Sequence, residues 1–500
     1  MVSALAGILA AVAGMAAGHL VAAVVDPAAS PVLAVGSTVI DLTPTAVKEA
    51  VISAVGTGDK PLLLSIVGLG TVLLAAVAGL LARRRPALGV GLLLVLVAAA
   101  GVAAMTRPTA SVLDLLPALA TAVVGTAVLL GLRMLATRHT GAGEVAAGGA
   151  SRRGFLLGAA GVTVGAAVVG AGGQLLAGRA SDPSAVALPT AADAARPLPT
   201  GVEASVPGIS PFRTPTESFY RVDTNLTVPR VAVGSWRLEI DGDVRNPVSL
   251  DFAALSRMQL IERDITMTCV SNEVGGGYVG AARWLGVRLT DLLDLAGVGS
   301  ASDQLLSTAV DGFTISTPLA VARDGRDAMV AIGMNGAPLP DTHGFPARLI
   351  TPGLYGFVGA TKWLTRLTLT TYAAQQAYWT QRQWATDAPI KTSARVDTPA
   401  PLSTIAAGRT AIGGVAWAQH RGVRGVEVQV DGGAWQPAQL GPDAGVDYWR
   451  QWFLPWDATP GQHTLSARAT DLTGARQSDE RATPFPAGSS GIQQIVVFVS

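Results

Sequence analysis

The chain has 500 residues, 49% of them hydrophobic, a net charge of +1 at pH 7 and one cysteine. So even a balance, without a Lys/Arg stripe, excludes binding that works by neutralising nucleic-acid phosphates, and a single cysteine excludes an intramolecular disulfide. The averages also hide a division: Phe155 is the only aromatic residue before Phe212, and all ten tryptophans lie at or after Trp236.

The aliphatic first part contains five apolar runs free of Asp, Glu, Lys and Arg: Ser3–Val25, Pro61–Ala82, Ala87–Thr106, Leu115–Leu132 and Gly154–Gly178. Each is long enough to cross a bilayer as a helix. Arginines concentrate in alternate connections, Arg83-Arg84-Arg85 and then Arg133, Arg138, Arg152 and Arg153, whereas Asp26, Asp41, Glu49, Asp59 and Asp114 mark the others. By the positive-inside rule the N-terminus is expected in the cytoplasm and everything after Gly178 outside, as a multi-pass membrane protein with its globular part extracytoplasmic. Ser151-Arg152-Arg153-Gly154-Phe155-Leu156-Leu157 resembles a twin-arginine export signal; plain cytoplasmic flanking explains the same arginines. His19 lies within the first run and His139 beside the fourth, read as one packed and one interfacial residue. Residues 1–178 are therefore expected to form a helical membrane bundle of five spans. Residues 179–211, rich in Ala, Pro and Ser without periodicity, read as an extended, semi-stiff spacer.

From 212 to 389 the sequence becomes globular. Ser235–Gly242 alternates and ends in a turn signal, the pattern of a strand. Leu250–Leu255 and Leu289–Leu295 read as short helices, the second capped by Thr290 or Asp291. Ile265–Val270 reads as a strand that delivers Cys269 to its end. Gly275-Gly276-Gly277-Tyr278-Val279-Gly280 matches a dinucleotide fingerprint, but that motif needs a helix starting within its glycines, and Arg283-Trp284-Leu285-Gly286 follows instead.

A lone cysteine is most often a packed apolar side chain. Cys269 instead stands among Thr268, Ser271 and Asn272 with glycines just after, a polar loop open to close approach. A thiolate suits a soft or high-valent transition metal, and one protein ligand is few for zinc, so a metal held here takes its other ligands from a cofactor. A second constellation runs Asp341-Thr-His343-Gly-Phe-Pro346-Ala-Arg348, then Gly359-Ala360-Thr361-Lys362-Trp363. The planar fork of Arg, the point charge of Lys and backbone amides at Gly359 are donors for phosphate oxygens.

Beyond about Ile390, short alternating stretches recur: Gly414–Trp417, Val426–Val430 before the turn Asp431-Gly432-Gly433, Trp449–Trp452, His463–Asp471 and Ile495–Val499. This spacing predicts an immunoglobulin-like sandwich over 390–500, with His420 and His463 as surface or packing residues.

Phe219-Tyr220-Arg221, the strand-end Cys269, Ala282-Arg283-Trp284-x-Gly-x-x-Leu, His343-Gly-Phe-Pro-x-Arg348 and Gly359-x-x-Lys362-Trp363 fall together in the order and spacing of the sulfite oxidase family of molybdopterin enzymes, which the chain resembles from about Pro211 onward. The resemblance implies an α+β molybdopterin domain over 212–389 and a C-terminal module of the family's dimerisation type, hence a homodimer. It implies that Cys269 ligates molybdenum, with the pterin dithiolene supplying two more sulfurs. It further implies that Tyr220, Arg221, Thr317, His343, Arg348, Gly359, Ala360, Thr361 and Lys362 cradle the pterin and its phosphate. The expected activity is sulfite-oxidase-like two-electron oxygen-atom transfer on a small molecule or sulfur compound, with an electron carrier the sequence does not name.

Two departures bear on substrate. Val270-Ser271-Asn272-Glu273 replaces the family's Gly-Asn-Arg after the ligand, and Trp384 stands where the family carries an active-site tyrosine, which makes it a substrate-pocket position. A reductase of sulfoxides or other S- or N-oxides is the alternative within the family. A cell-surface binding module with a vestigial site is the alternative outside it.

Overall fold

The computed structural model describes residues 2–44, 47, 51, 55, 58–137, 150–178 and 181–500. Glu49, Arg138 and His139 lie outside the described residues. The chain divides into two compact units, residues 1–181 with 224–230, and residues 182–223 with 231–500.

The first unit is helical: α1 (Val2–Val25), α2 (Pro31–Leu42), α3 (Asp59–Arg84), α4 (Pro86–Met105), α5 (Leu116–Thr137) and α6 (Ala150–Gly178). Among the described residues five stretches, matching the five expected runs, are long and apolar enough to cross a membrane. The sequence reading did not anticipate α2, whose 12 residues are too few to span; Pro31 opens it at the first helical position, where a missing N–H goes unnoticed. Small residues let α1 approach its neighbours backbone to backbone. A methyl group on Gly7 would collide with the Ala75 carbonyl, and one on Gly14 would lie 2.7 Å from the Thr121 carbonyl. His19 is packed, its Nδ1 3.3 Å from Ser30 Oγ.

In the second unit the expected spacer proves to be a strap. Ala192 N and Asp193 N donate to Leu260 O, and Glu262 N donates to Asp193 O, at 2.9, 3.2 and 2.9 Å. The Asp193 carboxylate accepts from Arg263 and Arg288. Val202 and Ile209 are buried. A sequence without periodicity still packs when its backbone groups are paired by an existing strand edge, and this is why composition alone misassigned 182–211.

A mixed sheet and an antiparallel sheet build the middle of the unit. One has the order Val248–Asp251, Arg237–Gly242, Leu364–Thr370, Gln304–Ala309, Thr314–Pro318. The other has the order Leu260–Thr268, Val279–Arg288, Met329–Met334, Ala337–Pro338, with Arg348–Ile350 also pairing Met329–Met334. Trp284, Phe345, Ile265, Met329 and Ile350 form the core against the second sheet.

The first short helix is Phe252–Ser256, later than expected, because Asp251 closes a strand and caps the helix by accepting from Ala254 N at 2.7 Å. The second, Leu289–Ala296, has neither Thr290 nor Asp291 as its cap. The strand Val279–Arg288 runs straight into it, so the cap position falls on Arg288.

Beyond Lys391, a four-stranded and a five-stranded sheet share one core that includes Ile412, Ala416, Val428, Trp452, Leu465 and Val497. His463 there is held by Asp431 at 2.7 Å and by the Thr459 carbonyl at 2.7 Å, and His420 faces Asp447 at 3.5 Å.

Candidate functional site

The strands Leu260–Thr268 and Val279–Arg288 pair antiparallel out to Thr268↔Val279, so the connection from Cys269 to Tyr278 leaves the sheet as one closed loop. Cys269 N donates to Tyr278 O at 2.9 Å, and Asn272 N donates to Cys269 O at 3.0 Å. The Asn272 side chain accepts from Tyr278 N at 2.7 Å. Gly275 sits at φ +81°, a conformation that favours glycine. A strand, not a helix, follows the glycines, so their backbone offers no helix N-terminus for a pyrophosphate. The Cys269 thiol is buried, and burial pushes its pKa up against the hydrogen bonds of Ser271 and the charge of Lys362. A thiol so placed stays protonated at neutral pH unless a metal ion displaces the proton.

Beside it lies a cluster of buried cations. Arg348 opens the Arg348–Ile350 strand and is 5% exposed. Its guanidinium donates to the carbonyls of His343 at 3.2 Å and Ala360 at 3.4 Å, and lies 5.3 Å from the centre of the Trp284 ring. Among the described residues it meets no carboxylate and its Nε is buried without a partner, and burial lowers its pKa to about 10. Lys362 donates to Asp223 at 2.8 Å and to Thr342 O at 3.3 Å, and burial lowers it to about 8 despite the carboxylate. Tyr220 is close enough to Cys269 and Arg348 to feel both charges, and burial raises its hydroxyl pKa.

His343 Nε2 lies 3.2 Å from the Thr216 carbonyl. A carbonyl only accepts, so Nε2 carries the proton and Nδ1 is left as an acceptor. Burial and then the Arg348 charge hold His343 down to about 4. Because its folded pKa lies below the ordinary 6.5, the unfolded chain binds more protons between those values. Stability from this residue is therefore full above about pH 6.5 and lost as pH falls toward 4, about 3 kcal/mol in all. Replacing His343 with Asn should flatten that part of the wild-type profile of unfolding midpoint against pH; an unchanged acid slope would contradict it.

The remaining predicted residues divide. Thr317 is fully buried and its hydroxyl donates to Val358 O at 2.6 Å, fastening the turn Gly356–Gly359. Thr361 and Ser307 hydroxyls meet at 2.5 Å. Ala360 packs near the Trp284 core and its carbonyl faces Arg348. A methyl group on Gly359 would lie 2.9 Å from Thr351 Cβ, and the Thr351 hydroxyl is buried without a partner. Arg221 lies at the rim, exposed and paired with Asp223 at 2.7 Å. Trp384 belongs to an adjoining aromatic group with Phe357, Trp379 and Phe485, at ring distances of 5.2–5.6 Å; its Nε1 is buried without a partner.

Sequence reasoning missed Tyr355, which is 4% exposed, near enough to Cys269 to sense its charge, and pushed up to about 12 by burial. It also missed Asp223 as the partner of Lys362, since a carboxylate 139 positions away carries no local signal.

Residues 225–379 match the oxidoreductase molybdopterin binding domain. Human mitochondrial sulfite oxidase is 29% identical over 302 residues, covering 51% of this chain and 55% of that protein. The chain thus carries a molybdopterin-binding oxidoreductase domain and is similar to sulfite oxidases. Barley nitrate reductase [NAD(P)H] is 32% identical over 195 residues, 33% of this chain and 21% of the reductase. The crystal structure of the sulfane dehydrogenase SoxCD from Paracoccus pantotrophus superposes with a TM-score of 0.51 at 24% identity, covering 56% of this chain and 80% of that one; at that identity the likeness is one of fold. The chain spans about half the length of human mitochondrial sulfite oxidase.

The matched domain is one that binds molybdopterin, and the residues here fit that group on physical grounds. A fully buried guanidinium without a carboxylate is an unfavourable arrangement by itself, and an anionic phosphate removes the penalty. The orphaned Arg348 Nε and Thr351 hydroxyl are two polar atoms in want of a partner. Among the described residues no group of three or more His, Cys, Asp and Glu stands at metal-ligand spacing.

Proposed function

We propose that the chain is an extracytoplasmic, membrane-anchored enzyme that catalyses two-electron oxygen-atom transfer on a small molecule or sulfur compound. The observation that carries this reading is the buried Arg348 guanidinium, without a carboxylate among the described residues, acting on the same Tyr220 as the only thiol of the chain. Cys269 is the protein's ligand to molybdenum. Arg348, Lys362 and the rim residue Arg221 take the phosphate. Tyr220, Thr317, His343, Gly359, Ala360 and Thr361 shape the pterin cradle, with His343 neutral and offering Nδ1 as an acceptor. The cofactor supplies the oxygen-atom and electron chemistry; the protein binds it, orients it and excludes water.

The same reading assigns residues 1–178 to a membrane domain, 212–389 to the cofactor domain and 390–500 to an immunoglobulin-like module of the dimerisation type. It attaches the strap to the cofactor domain. The arginines at 83–85 and 133 support an orientation with that domain outside the cytoplasm, and Arg152-Arg153 an export signal.

The group of Trp384, Trp379, Phe357 and Phe485 favours a second reading, reduction of a sulfoxide or related S- or N-oxide, since an apolar aromatic wall suits an uncharged substrate better than an oxyanion. Two assays separate the readings: sulfite with a dye acceptor, and sulfoxides with a reduced dye donor. Metal analysis of the purified chain is expected to find molybdenum. Metal-free protein inactive in both directions would return the chain to the class of surface binding modules.

A further inference from the structure

The loop from Cys269 to Tyr278 carries glycine at 275, 276 and 277, and glycines lose more conformational freedom on ordering than other residues. Its internal bonds tie Cys269 to Tyr278 and Asn272, but its tip is held from outside, by the C-terminal sandwich. Arg395 Nη1 donates to Gly276 O at 2.9 Å, and Ser489 Oγ donates to Asn272 O at 2.6 Å. The strand that delivers the loop is gripped from the same module: Gln419 Nε2 donates to Thr268 Oγ1 at 3.0 Å, and Trp449 N to Thr266 Oγ1 at 2.9 Å. Arg395 is itself fixed beforehand. Its Nε donates to Asp397 at 2.6 Å and its Nη2 to Ser210 Oγ at 2.8 Å, while the other oxygen of Asp397 accepts from Ser210 N at 2.9 Å. One guanidinium thus joins the thiol loop, the strap and the sandwich through three donors in a plane.

We infer that Arg395 is a positioning residue for Cys269, and that the sandwich, beyond any part in association, sets the geometry of the thiolate. The inference rests on Cys269 being the molybdenum ligand. Gly276 lies two residues from Tyr278, whose carbonyl holds the Cys269 amide and whose own amide is held by Asn272. Asn272 is the residue Ser489 grips. Both outside ties therefore act on the groups that orient the cysteine backbone.

The test uses the loaded full-length protein and Arg395→Lys, which keeps the charge but loses the planar fork. Turnover should fall by about 10- to 100-fold, the range for partners that orient a metal ligand, with KM little changed and molybdenum content kept. The thiolate-to-molybdenum charge-transfer absorption should shift. Amide hydrogen exchange should quicken across 270–278 while the strands Leu260–Thr268 and Val279–Arg288 keep their protection. Ser489→Ala removes only the second tie and should move absorption and exchange the same way, less far; it decides the matter if Arg395→Lys disturbs the sandwich. A charge-transfer band present in the wild type, with neither band nor loop exchange altered in either variant, overturns the positioning role. A band that survives Cys269→Ala overturns instead the ligand assignment beneath it.

Discussion

Replacing Cys269 with Ala should abolish turnover in both assay directions while the chain remains folded. A metal's only protein ligand is asked to do more than the partners that orient such ligands, whose loss already costs about 10- to 100-fold, so the residual rate should fall below a hundredth of wild type. The fold has little reason to follow. The side chain is small, its burial is that of a loop end and not of a core strand, and the loop is held by backbone bonds from Cys269 N and O that alanine keeps. A penalty of about 1 kcal/mol is expected, typical of a point mutation. Unfolding midpoint and far-ultraviolet dichroism check the second half, turnover per bound molybdenum the first. Turnover retained at full cofactor loading would remove the sulfur from the mechanism.

Arg348→Met should produce two effects of opposite sign. Without cofactor, the wild-type guanidinium is a buried charge whose neighbours are carbonyls and an indole face. An apolar side chain of similar length removes that desolvation penalty, and exchanges of this kind are neutral or stabilising by about 1–4 kcal/mol. The unloaded variant should therefore unfold at a higher temperature than unloaded wild type. With cofactor the order reverses. A buried charged pair that loses one partner forfeits about 2–5 kcal/mol, so affinity should fall by at least about thirtyfold, and the protein should purify with little molybdenum. Thermal unfolding with and without cofactor, alongside metal content, reads both. Lower stability in both states would mean that Arg348 is merely structural and that the phosphate lies elsewhere.

Much of this site was legible before any fold was known, because its residues come in short runs whose chemistry is local. Cys269 with its polar, glycine-rich sequel, His343 with Arg348, and Gly359 to Lys362 each lie within about ten residues of their companions, and a family pattern records such runs in order. The five apolar runs were legible for a similar reason, since a helix long and apolar enough to cross a bilayer is written as one unbroken stretch of sequence.

What the sequence could not express is pairing at a distance. Asp223 meets Lys362, Arg395 meets Gly276, and Gln419 meets Thr268, across 139, 119 and 151 positions. Side chains such as Asp193 and Glu203 turned an apparent spacer into a packed strap. The short helix Pro31–Leu42 and the cap at Arg288 were likewise decided by their surroundings.

By itself, then, the sequence determined the residue types: one thiol, a set of cations and glycines in short runs, and five runs long and apolar enough to cross a membrane. Only the tertiary structure decided the energetics, by burying Arg348 without a carboxylate and by bringing a second module onto the cysteine loop. The reason is physical. The identity of a donor or ligand is a property of one residue, whereas desolvation and orientation belong to everything that surrounds it.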